Sequence, residues 1–116
     1  MSGLVAASTA ALALAMVASC SKPKAEPSAD AKALFASVCA RCHGEDGHGG
    51  LPLYEGGPSP RNFADPDFQR AFTDEDIKRT IRDGKGAGMP PFGATFTPEQ
   101  LDALVGRVRS FDPKAK

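Results

Sequence analysis

The chain has 116 residues, with 14 Lys and Arg balanced by 14 Asp and Glu, and three cysteines. That length allows one small domain, which buries too little apolar surface to be comfortably stable without a staple. The cancelled charge gives no support for a nucleic-acid-binding face and leaves no acidic block to act as a solvating tail, so any partner must be chosen by local surface.

In chain order, residues 1–19 carry no charged side chain and run through Leu4, Val5, Leu12, Leu14, Met16 and Val17. A membrane-spanning helix needs about 20 consecutive apolar residues. This run is shorter, rich in small residues, and ends at Val17-Ala18-Ser19-Cys20, which reads as a secretory signal. The tetrapeptide resembles a bacterial lipobox. That resemblance implies cleavage before Cys20, which becomes the mature N-terminus and receives a diacylglyceryl thioether and an N-acyl chain. Several acyl chains anchor stably where one would not. The alternative is an ordinary signal with an incidental Cys20, which leaves a lone exported thiol reactive. Ser21, where an acidic residue would imply inner-membrane retention, points by the same resemblance to the outer membrane. Residues 20–29 mix proline, small residues and charge without an apolar period, as a flexible linker does. The folded domain is expected over 30–112, with 113–116 as a tail.

Three helices are expected in that domain. Ala31, Leu34, Phe35, Val38, Cys39 and Cys42 form a helical stripe, with Ser28 or Asp30 to cap its start and Gly44 to stop it. Thr73-Asp74-Glu75-Asp76 puts a cap and three carboxylates at a second helix start, with Ile77 and Ile81 on one face and Gly84 at the end. Thr97-Pro98-Glu99-Gln100 is a capping box with proline at the first helical position. Leu101, Leu104, Val105, Val108 and Phe111 follow as the buried stripe, and Pro113 ends it. A shorter turn is expected from Asp65-Pro66, with Phe68 and Phe72 facing inward. No stretch alternates at period two, so no substantial sheet is expected. The glycine-rich loop from Gly44 to Gly57 suits a backbone wrapped closely around a flat rigid object.

Cys39-Ala40-Arg41-Cys42-His43 closes the first helix. Two thiols three positions apart share a helix face, about one turn apart, which suits the two vinyl groups of a haem. The adjacent histidine then reaches the iron. This is the pattern of c-type haem attachment. A thioredoxin-type pair would need a preceding strand, a zinc site lacks a second ligand cluster, and a disulfide at this spacing closes too small a loop to stabilise much. Cys39 and Cys42 are therefore the candidate covalent attachment points and His43 the candidate axial ligand.

Met89 is the one methionine left after signal removal. It lies in a strap, Gly84-Lys85-Gly86-Ala87-Gly88-Met89-Pro90-Pro91-Phe92-Gly93, whose prolines restrict the backbone presenting the sulfur. It is the candidate second axial ligand. The alternatives are a core-filling Met89 and a distal His48, which is better read as a solvated loop residue. Arg61 and Asn62, with Lys85 behind them, are candidate donors to the haem propionates. Pro52 or a neighbour is expected to accept the other ring N–H of His43. Phe35, Phe63 and Phe92 are expected to keep water from the ring.

On these residues, together with Leu34-Phe35, Pro60-Arg61-Asn62-Phe63 and the final Leu104-Val105-Gly106-Arg107-Val108-Arg109 stretch, the chain resembles a small bacterial class I cytochrome c. The resemblance implies an all-α fold, with three main helices and glycine-rich loops around one covalent haem c, and first and last helices that cross beside it. Ala31 stands where glycine is common at that crossing and Arg107 where an aromatic is, which leaves Arg107 as a haem-edge or partner contact. The function so implied is a lipid-anchored, periplasmic, monomeric carrier of single electrons between redox proteins, and not an enzyme. A haem that binds small ligands or turns over peroxide through a labile Met89, and a fixed redox subunit of a larger complex, are the alternatives.

Overall fold

A computed structural model of the chain describes residues 29–50, 52 and 54–115, with Met1 and Gly3. The expected signal, Cys20, and the linker up to Ser28 lie outside the described residues. Helix α1 (Ala29–Leu34) runs through a π-helical turn (Phe35–Cys39) into α2 (Ala40–His43). Asp30 lies inside the first turn of α1, where the helix dipole favours a carboxylate, and does not cap it. The π turn carries an extra residue, so it changes the angular register between the two halves of the helix. The expected stripe nevertheless keeps to one side, with Phe35 in the core and Leu34, Val38 and Cys39 packed against it. Ala31 and Phe35 are buried, Val38, Cys39 and Cys42 are half-buried, and Phe35 joins these three in lining a cavity. Gly44 terminates α2 with φ +76°, donating its N–H to the Ala40 carbonyl at 2.8 Å.

Helix α3 (Pro66–Ala71) starts at Asp65, whose side chain accepts the Asp67 N–H at 2.9 Å. Helix α4 (Asp74–Asp83) carries a full capping box. Thr73 accepts the Asp76 N–H at 3.1 Å, and the Asp76 carboxylate accepts the Thr73 N–H at 3.0 Å. Helix α5 (Pro98–Arg109) has the expected box between Thr97 and Gln100. It stops at Arg109, short of Pro113, because the Ser110 N–H bonds back to the Gly106 and Arg107 carbonyls and tightens the last turn. Pro113 begins a 3-10 turn, Pro113–Ala115. The fold is all-α. Among the described residues the sole β pairing is an isolated bridge between Lys85 and Met89.

Helix α5 packs against α1 on one side and α4 on the other. Leu101, Leu104, Val105 and Val108 supply its buried face, joined by Phe35, Phe63, Phe68, Ile77, Ile81 and Phe96. One side chain ties the ends of three helices together. Arg109 donates from Nε to Asp74 at 2.7 Å, from Nη1 to the Gln69 carbonyl at 2.8 Å, and from Nη2 to the Phe72 carbonyl at 2.5 Å. Gln69 Nε2 donates in turn to the Phe63 and Val108 carbonyls. A Cβ at Gly106 would meet nothing within 4 Å, so no close approach requires glycine in α5.

Candidate functional site

The helices leave a cavity of about 640 Å³ bounded by α2, the 58–63 segment, α4 and the strap after Gly84. Cys39, Cys42 and His43 line it together with Met89, Arg61 and Asn62. Residues 46 positions apart in the chain, His43 and Met89, therefore share one chamber. Its apolar wall includes Phe35, Val38, Phe63, Phe68, Ile81, and Leu104. All of these but Val38 belong to the buried core.

Both thiols are free and half-buried. Burial pushes the Cys39 thiol up to about 11, and the neighbouring Cys42 adds to the rise. Neither sulfur is tied up in a disulfide. The His43 ring lies 4.4 Å from the Phe63 ring, centroid to centroid and nearly parallel at 21°. Its Nδ1 sits 3.1 Å from the Arg61 carbonyl. A carbonyl only accepts, so Nδ1 carries the proton and donates, which leaves the Nε2 lone pair free. Burial lowers the affinity of this imidazole for a second proton, against the Arg61 hydrogen bond, which raises it. Neutral imidazole is the form that binds a metal. The acceptor is Arg61, not Pro52 as expected, because the 58–63 segment folds over His43 and Pro52 does not line the cavity.

The strap is a tight loop. Lys85 N–H donates to the Met89 carbonyl at 2.9 Å and Met89 N–H returns to Lys85 at 3.2 Å. Phe92 and Gly93 N–H groups donate to the Ile81 and Arg82 carbonyls, at 3.0 and 2.9 Å, and fasten it to the end of α4. Met89 is half-buried and packs against the core from this frame.

The Arg61 guanidinium lies over Phe68 and Phe72, at 5.7 and 5.9 Å from their ring centroids. Asn62 Oδ1 accepts the Ala64 N–H at 2.9 Å, so its amide N–H groups are the part left for a ligand. Lys85 also lines the cavity. His48 is exposed, 3.3 Å from Asp46, and outside the cavity lining. Arg107 was expected as a haem-edge or partner contact, and it does not line the cavity. It covers Phe35 from behind. The glycines of the 44–57 loop also depart from expectation. None of them lines the cavity. They approach the protein itself: a Cβ at Gly47 would lie 2.6 Å from the Phe111 ring, and one at Gly50 2.8 Å from the Cys42 carbonyl. Tyr54, half exposed, lines the cavity without having been singled out in the sequence. As the chain's one tyrosine in an aperiodic loop, it carried no pattern signal.

The donor set fits a covalent haem: two thiols and an oriented imidazole on one wall, a thioether on the strap, apolar surface between them, and a cation with amide donors at the rim. Over residues 26–106 the chain matches the family described as cytochrome c oxidase, cbb3-type, subunit III. It is similar to the cbb3-type cytochrome c oxidase subunit CcoP of Rubrivivax gelatinosus, at 39% identity over 80 residues, covering 66% of this chain and 23% of that protein. It thus spans less than a quarter of the length of that curated relative. Among solved structures it is similar to the c-type cytochrome KustC0563, with 36% identity and a TM-score of 0.64, covering 71% of this chain and 96% of that one. It is also similar to a chain of the Kuenenia stuttgartiensis reducing HAO-like protein complex Kustc0457/Kustc0458, with 34% identity and a TM-score of 0.60, covering 78% and 44%.

Proposed function

Because the chain belongs to the cytochrome c family described as cbb3-type oxidase subunit III, a family of electron-transfer proteins with covalent haem c, we propose that it is a single-haem carrier of single electrons, attached through Cys39 and Cys42 and ligated by His43 and Met89. The observation that carries this reading is the presence of Met89 and the Cys39-Cys42-His43 group in the lining of one cavity. When bound, the haem supplies an iron that accepts and releases one electron.

The chain's own residues do the rest. Cys39, at the end of the π-helical turn, and Cys42, in α2, would hold the haem through thioether bonds. The Arg61 carbonyl holds the His43 tautomer and its orientation. Met89, a thioether, favours a higher potential than a second imidazole would. Phe35, Phe63 and Phe68 give the cavity apolar wall, and Arg61 and Asn62 would donate to the propionates of a bound haem. The protein works as a monomer, exported, and tethered through a lipidated Cys20 at the periplasmic face of a bacterial membrane, the outer one on the evidence of Ser21. Its donors and acceptors are other redox proteins. A fixed position in a larger complex is the second reading, favoured by the match to chains named as an oxidase subunit and as part of a multiprotein complex. Co-purification with a stoichiometric partner separates the two.

Spectroscopy tests the ligation. The ferric protein should show the far-red charge-transfer band of a thioether-ligated haem, and Met89→Ala should abolish it and lower the midpoint potential. A ferric spectrum without the band, or with a band unchanged in Met89→Ala, rules out Met89 as the ligand.

A further inference from the structure

Arg107 is a charged side chain to which the proposed electron carrier gives no role. It projects from α5 with its guanidinium 4.3 Å from the Phe111 ring centroid and 5.5 Å from that of Phe35. Phe35 is 2% exposed and is itself part of the cavity wall. The cation therefore stands one aromatic ring behind the chamber, on the protein side. Its Nε is buried without a hydrogen-bond partner, and Nη1 reaches only the Ser110 hydroxyl, at 3.3 Å. Among the described residues no carboxylate lies within 4 Å of it, whereas Arg109, two positions on, is paired with Asp74 at 2.7 Å. An arginine set on two rings without a counter-ion forgoes a salt bridge for a cation–π position.

We propose that Arg107 is a potential-setting residue: an unpaired cation, held behind Phe35, that raises the reduction potential of the haem. The proposal rests on the reading that the haem occupies this cavity. The step concerned is the arrival at the iron of one electron from a reduced partner protein, which lowers the charge of the haem by one. A fixed positive charge nearby favours the reduced state by Coulomb attraction, and more strongly where protein rather than water lies between. Arg61 and Lys85, which also border the cavity, are exposed, so solvent and salt screen them. Arg107 is half-buried, its Nε fully so, and it lies against Phe35, which lines the cavity.

The test uses the full-length, export-matured, haem-loaded protein and its Arg107→Gln, Arg107→Met and Arg107→Lys variants, titrated spectroelectrochemically. Intact mass and the far-red band are recorded for each. At a fixed ambient potential the two neutral variants should show a ferrous-to-ferric ratio at least about threefold lower, a downward shift of about 30 mV for a one-electron couple. Arg107→Lys, which keeps the charge but not the planar stack, should stay within that margin of the parent. Neutral variants that titrate with the parent would overturn the proposal, as would Arg107→Lys falling as far as Arg107→Gln, because packing would then be the cause. Loss of haem from both neutral variants would overturn it too, by making Arg107 a folding residue. Absence of covalent haem from the parent protein is a different failure, that of the haem reading itself.

Discussion

Gly84→Ala is expected to destabilise the haem-loaded protein by about 2–4 kcal/mol and to weaken or remove the far-red band, although residue 84 bears no side chain. Gly84 closes α4 with φ +76° and ψ 178°, a region that side chains all but forbid. A Cβ there would also stand 2.7 Å from the Met89 carbonyl oxygen, 2.8 Å from Pro91 N and 2.9 Å from Pro90 C. All three are backbone atoms of the strap, so no rotamer change relieves the contact and the strap must move. Moving it breaks the reciprocal Lys85–Met89 bonds that hold the thioether in the cavity lining. Gly86→Ala is the control. Its φ is +57° but a Cβ would meet nothing within 4 Å, so the cost should be only the left-handed penalty of about 1–2 kcal/mol, with the band intact. Equal losses in the two variants, measured by denaturant titration and ferric spectra, would show that strap position does not govern Met89.

Phe35→Ala should cost about 3–5 kcal/mol, the usual price of removing a buried aromatic. Phe35 is among the largest fully buried side chains. Its ring meets Phe63 edge-on at 6.2 Å and Phe111 at 5.1 Å, and it forms cavity wall as well. Truncation therefore opens the chamber toward α5 and removes the support on which Arg107 lies. Phe35→Leu, which keeps most of the volume, should lose distinctly less. A loss below about 1 kcal/mol for Phe35→Ala would mean that the bound cofactor, and not the aromatic cluster, holds α1 against α5.

The features legible in the sequence were those whose physics is local. Both capping boxes span four residues, and Thr73 and Thr97 start their helices as expected. Ile77, Ile81, Leu104 and Val108 are buried where their period puts them. Cys39, Cys42 and His43 were legible because adjacency alone brings them together. Met89 needed a second step, the rigid strap, and the cavity lining includes it. What stayed hidden depends on contacts between distant segments. The π-helical turn at Phe35–Cys39 leaves no mark in the apolar period of the first helix. The carbonyl that orients His43 belongs to Arg61, 18 positions away, and the fourfold anchoring of Arg109 reaches back 35 to 40 positions. Backbone acceptors have no residue signature. The 44–57 glycines were read for the right property and the wrong neighbour: close approach is real, but to Phe111, Pro60 and Cys42.

Intact-mass analysis of the exported protein tests the central claim most directly, since it reports covalent haem and N-terminal processing in one spectrum. The account predicts a chain beginning at Cys20 that carries its acyl groups and one haem, with the haem lost when Cys39 and Cys42 are both replaced by alanine. A parent protein whose mass contains no covalent haem would contradict it.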